Sequence, residues 1–118
     1  KNMNLHLSAS TNSKNLMVVT WETGSVLEIA RAGNIHVLKK DLSTLDGIDY
    51  DKRGNIYVSN FQEGEIYQIA FFGRGAISVF LNGLTTPADI AYDRVKDEIL
   101  IPSTQGNAVA TVYHPKER

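Results

Sequence analysis

The sequence contains no cysteine, which excludes both disulfide staples and thiolate metal sites. Its formal net charge is only −1, and no run of basic residues is longer than Lys39-Lys40. A nucleic-acid partner is therefore not expected, because phosphate neutralisation needs a concentrated basic face. No apolar stretch approaches the roughly 20 residues that a membrane-spanning helix requires, and none has the form of a signal peptide. A membrane is likewise not expected as a partner. Long amphipathic stripes at helical spacing are missing too. At 118 residues, 42% of them hydrophobic, the chain suffices for one domain with a real core, residues 1–118. It begins at Lys1, which suits a processed product, a trimmed chain or a fragment.

What the sequence does contain is a repeat. The stretch "NLMVVTWETGSVLEIARAG" (Asn15 to Gly33) lies over "NIYVSNFQEGEIYQIAFFG" (Asn55 to Gly73). Val18 meets Val58, Trp21 meets Phe61, Gly24 meets Gly64, and Ile29-Ala30 meets Ile69-Ala70. In the same way "NIHVLKKDLSTLDGIDYD" (Asn34 to Asp51) lies over "AISVFLNGLTTPADIAYD" (Ala76 to Asp93), pairing Tyr50-Asp51 with Tyr92-Asp93. A third partial copy is "EILIPSTQGNAVATVY" (Glu98 to Tyr113). The period, about 40–42 residues, is that of a propeller blade.

Each copy carries short runs of alternating apolar and polar residues between turn residues. In the middle copy these are Gly47–Asp51, Asn55–Asn60, Glu65–Ala70 and Ala76–Leu81, joined by "DKRG", "QEG" and "FFGRG". Four antiparallel strands per unit, repeated radially, make an all-β β-propeller. The blades span about 4–42, 45–84 and 87–113, the last without its outer strand. Closed rings usually take about four to eight blades. About three blades leave two long sheet edges bare, which invite pairing with another chain, so ring closure calls for another copy of the chain or for blades supplied elsewhere.

The order "DGIDYDKRGNIYVSNFQEGEIYQI", "GLTTPADIAYD" and "EILIPSTQGNAVATVY" resembles the senescence-marker-protein/gluconolactonase-like six-bladed propellers. The element "GNIYVS" is also shared with NHL-type propellers, and the likeness covers almost the whole chain, as the C-terminal half of a ring. The resemblance implies a metal-dependent hydrolase of a sugar lactone or related ester. It implies one divalent cation, calcium or zinc, in the central channel, and a periplasmic or secreted location rather than a cytoplasmic one. The family ligand with a counterpart here is the Asp of a "DG" pair, Asp46-Gly47. The alternative of another class is a non-catalytic propeller, a binding or scaffold module that uses the channel mouth and the blade loops.

Asp46 is thus the candidate metal ligand and general base, or else a turn aspartate that accepts backbone N–H bonds. His6 is a second candidate facing the channel. Asp49 and Asp51 have a calcium-like look, but Arg53 stands where a third acid belongs and Phe61 where the loop's Glu belongs, so turn chemistry is expected of them. Trp21 and Phe61 are expected to pack between blades. His36 and His114 show no carboxylate partner in the sequence.

Overall fold

The computed structural model describes residues 7–12, 15–84, 87, 89–102 and 110–113. His6 and His114 lie outside them. The first sheet holds β1 (Leu7–Asn12), β2 (Asn15–Thr20), β3 (Val26–Ile29) and β4 (Ile35–Lys39). The second holds β5 (Leu45–Tyr50), β6 (Ile56–Asn60), β7 (Glu65–Ile69) and β8 (Ile77–Leu81). The third holds β9 (Ala91–Asp93), β10 (Glu98–Pro102) and β11 (Ala110–Tyr113). Within each sheet the strands pair antiparallel in chain order. The first strands lie side by side, β1 against β5 and β5 against β9, so each sheet is one blade fanning outward from a shared inner edge. The chain is an all-β, propeller-type array, and its described residues form two blades of four strands and a third sheet of three.

Alternation along each strand decides which residues face which neighbour. Met17, Val19 and Val26 of the first sheet bury against Leu45, Ile48, Ile56, Val58 and Ile69 of the second. On the other side of the second sheet, Tyr57 and Ile66 bury against Ile90, Ile99 and Ile101 of the third. The second sheet is therefore covered on both faces, and every residue of β6 is buried. The outermost strands β4 and β8 begin with three exposed residues each, because a radial blade moves away from its neighbours at its rim.

The turns follow the sequence. Gly24 and Gly64, equivalent in the repeat, have φ of 61° and 68°. At each, an added Cβ would fall 2.3 Å from backbone atoms, of Ser43 and of Leu84 respectively. Both steric demands select glycine. The "FFGRG" turn is left-handed at more than its glycine. Gly73 is left-handed, but Phe71 and Phe72 are too, each at φ 52°, a conformation that costs a bulky residue energy. The amide of Phe72 is held by the carbonyl of Gly54 at 2.8 Å, which anchors this turn to the β5–β6 turn.

Candidate functional site

Two ends of the blades carry chemistry. At the first, where β5 begins, Asp46 lies inside the strand and not ahead of it, since β5 starts at Leu45. The register between β5 and β6 slips between Leu45 and Ile48, so Asp46-Gly47 forms a bulge. The Gly47 amide leaves the ladder and donates to Ser59 Oγ at 2.8 Å. Bulges re-aim side chains and recur beside functional sites. Asp46 is half-buried.

The polar residues around this bulge serve the backbone. Thr44 Oγ1 donates to Asn60 Oδ1 at 3.2 Å and accepts the Gln62 amide at 3.0 Å. Asn60 Nδ2 donates to the Leu42 carbonyl at 2.7 Å. In the first blade the equivalent turn is fixed by hydroxyls, Thr20 to Thr23 at 2.6 Å and Thr23 to Ser25 at 2.9 Å. Trp21 and Phe61 meet as expected, with ring centroids 5.3 Å apart across the two blades. A calcium ion takes about six to eight oxygens and a structural zinc four ligands. Among the described residues no three His, Cys, Asp or Glu side chains come together as such a group. The described part of the chain therefore does not by itself fit the cation implied by the resemblance.

At the opposite end the aspartates have structural tasks. Asp51 is buried. Its Oδ1 accepts the amides of Arg53 at 2.8 Å and Asn55 at 3.0 Å, and its Oδ2 accepts Asn55 Nδ2 at 3.0 Å and the Tyr57 hydroxyl at 2.8 Å. Burial, then the adjoining Asp51 carboxylate, holds the Tyr57 hydroxyl far above its ordinary value, so it remains a donor. The repeat partner Asp93 likewise accepts the amides of Val95 and Lys96, at 2.9 and 3.1 Å. These are the turn bonds expected of the motif.

Asp49 does more than its sequence suggested. Its Oδ1 accepts the Tyr50 amide at 2.8 Å, and its Oδ2 accepts the Tyr92 amide of the next blade at 2.9 Å. Arg53 reaches the same seam and donates to Asp97 Oδ1 at 2.8 Å, beside the Tyr92 hydroxyl, which donates to that oxygen at 2.6 Å. The Arg53 guanidinium, then the Tyr92 hydroxyl, holds the Asp97 carboxyl below its ordinary value. Arg94 stands over both repeated tyrosines, 5.7 Å from the Tyr50 ring and 6.0 Å from the Tyr92 ring.

The link between the first two blades at this end is the contact of Arg74 with the buried Glu28. Burial pushes the Glu28 carboxyl up, but the Asn15 amide and the Arg74 guanidinium outweigh it, and the group lies below its ordinary value of 4.5. His36 adds to that lowering and stands opposite Glu28 in the β3–β4 register. His36 thus has the carboxylate neighbour that the sequence did not reveal.

The charge of the two ends differs. The β2–β3 and β6–β7 turns expose Glu22 and Glu63, whereas the β5–β6 and β9–β10 turns expose Lys52, Arg94 and Lys96. At the basic end Phe71 is 76% exposed, Phe72 44% and Val95 93%. The hydrogen bond from Phe72 to Gly54 and the Arg53–Asp97 pair join these turns into one continuous surface. Sequence reasoning missed it because "FFGRG" read as a reversal alone. Two adjacent phenylalanines in a turn, offset from the core alternation, were the available signal.

No family model matches the chain, and no curated protein matches it in sequence. Solved structures do match. A nidogen/laminin complex is similar with a TM-score of 0.72 at 19% identity, over 82% of this chain and 38% of that one. A streptogramin B lyase gives 0.64 at 10% identity, over 97% and 41%. Virginiamycin B lyase from Staphylococcus aureus gives 0.60 at 14%, over 95% and 41%. The chain thus spans about two-fifths of the length of each of these chains. Among the described residues no helix is long and apolar enough to cross a membrane. The likeness establishes the β-propeller fold for this chain.

Proposed function

We propose that the chain is the blade scaffold of a binding propeller, which grips a partner with its basic end. The observation that carries this reading is the continuous surface formed by Phe71, Phe72, Val95, Lys52, Arg94 and Lys96, exposed apolar tips among cations. Exposed large apolar groups rimmed by charge are the mark of an interaction surface, and the strained φ of both phenylalanines supports a functional reason for their presentation. The complementary partner is a protein surface with acidic groups around an apolar contact. Anilinonaphthalene sulfonate, an aromatic anion, is a suitable probe. Its fluorescence enhancement is expected to fall several-fold in Phe71→Ser/Arg94→Ser with the circular dichroism spectrum unchanged. Equal enhancement in the variant and the parent overturns the reading.

A second reading, metal-dependent hydrolysis of a sugar lactone or related ester, is favoured by one observation, the β-bulge at Asp46-Gly47. It requires further oxygen ligands from outside the described residues. Calorimetric titration with calcium and with zinc tests it: heat that disappears in Asp46→Asn supports a cation at this position. Titration without heat, or heat unchanged in Asp46→Asn, counts against it.

A further inference from the structure

The exposed charges of the blades are sorted by end. At the end where β2 and β6 finish and β5 begins, Glu22, Asp41 and Glu63 are exposed, as is Asp89 just ahead of β9. Among the described residues Lys40 is the one exposed cation there. At the opposite end Arg31, Lys52, Arg74, Arg94 and Lys96 are exposed, and no exposed Asp or Glu stands among them within the described residues. The carboxylates of that end are half-buried or buried, and Glu28, Asp51 and Asp97 are bonded to neighbouring side chains. A chain whose formal net charge is only −1 therefore carries two ends of opposite sign.

The acidic end also has an apolar centre. Trp21 and Phe61 meet there across two blades, ring centroids 5.3 Å apart, and both are half-buried. An exposed acidic turn follows each of them, Glu22-Thr23 after Trp21 and Gln62-Glu63 after Phe61. Because the two positions are equivalent in the repeat, the blades set the same feature side by side. An aromatic pair flanked by carboxylates is complementary to the basic end, where Phe71, Phe72 and Val95 stand exposed among cations.

We propose that the acidic end of one copy docks on the basic end of a second copy, so that chains stack end to end. The stack rests on the basic end's being a binding surface, and it gives that surface an occupant. Like ends repel each other, so the contact is head to tail. A head-to-tail contact leaves one acidic and one basic end bare at the tips, and these add further copies as an open stack. Exposed charges are screened by salt, so the association is expected to weaken steeply with ionic strength.

Sedimentation velocity on the full chain tests this. At about 20 mM salt the parent is expected to sediment faster as its concentration rises, and at about 500 mM salt to run as one slow species. Glu22→Lys/Glu63→Lys at the acidic end and Lys52→Glu/Lys96→Glu at the basic end are each expected to weaken association at least about tenfold at low salt, with circular dichroism unchanged. An equimolar mixture of the two variants joins the intact basic end of the first to the intact acidic end of the second, and is expected to associate again. Val37→Lys/Val79→Lys, at exposed rim positions, also makes the net charge more positive and is expected to leave association unchanged. An equal loss in that rim variant marks an effect of net charge and overturns the docking of ends. A parent that stays monomeric at low salt overturns it too, as does association that Glu22→Lys/Glu63→Lys leaves unchanged. The dye test with Phe71→Ser/Arg94→Ser does not involve the acidic end. Chains that stay apart while the dye result holds therefore refute the stack alone, and loss of the dye result refutes the basic end as a binding surface.

Discussion

The two seams of the molecule solve the same packing problem with different chemistry. Between the first and second sheets the contact is a dry aliphatic cluster of Met17, Val19, Val26, Leu45, Ile48, Ile56, Val58 and Ile69, with the Arg74–Glu28 contact at its side. Between the second and third sheets Tyr57 and Ile66 pack on Ile90, Ile99 and Ile101, and Phe80 of the second sheet stands edge-on to Tyr57, centroids 5.1 Å apart. A polar lattice of Asp49, Asp51, Arg53, Tyr57, Tyr92 and Asp97 runs through its inner end. Apolar packing tolerates any orientation that fills the space. A hydrogen-bonded lattice admits one arrangement and costs heavily when a member is removed. The first seam is thus sensitive to volume and the second to polar deletion and to pH.

Removing the centre of the lattice is expected to have the largest effect. Asp51→Ala strands the Tyr57 hydroxyl and the amides of Arg53 and Asn55, at about 3–5 kcal/mol, read as a fall in the urea midpoint. At the aliphatic seam Ile56→Ala is expected to cost about 2–4 kcal/mol, with a midpoint shift that does not depend on pH between neutral and acid. Arg53→Met removes the cation from the second seam at about 1–2 kcal/mol. Asp97 has a folded value below its unfolded one, so its contribution is present above the ordinary carboxylate range and is lost as pH falls through the folded value. The difference between Arg53→Met and the parent is therefore expected to vanish in acid. Arg74→Met should matter least. Its side chain is 52% exposed, so less than about 1 kcal/mol is expected, again lost as pH falls below 4.5 because the Glu28 value is lowered. A larger cost for Arg74→Met than for Arg53→Met would reverse the contrast between the seams.

Much of this was legible in the sequence, for physical reasons. The strands of the middle blade were visible because one face of each must be apolar, and Glu65–Ile69 and Ile77–Leu81 lie within one residue of the alternation that announces them. Asp51 and Asp93 declared themselves as turn residues because their bonds are local. The pairs Arg53–Asp97 and Asp49–Tyr92 are separated by 44 and 43 positions and join different blades, so no local pattern records them. Asp46 was singled out by its "DG" pair, yet the bulge in which it lies, with the Gly47 amide turned to Ser59, comes from a pairing of two strands that alternation does not show. His6, the second channel candidate, lies outside the described residues.

The radial arrangement, with the second sheet enclosed by its neighbours, is tested most directly by native-state hydrogen exchange. The amides of β6, buried along its whole length, are expected to be the most protected, and those of β4 and β8, exposed at the rim, to exchange fastest among the strands. Protection of β4 equal to that of β6 would contradict the arrangement.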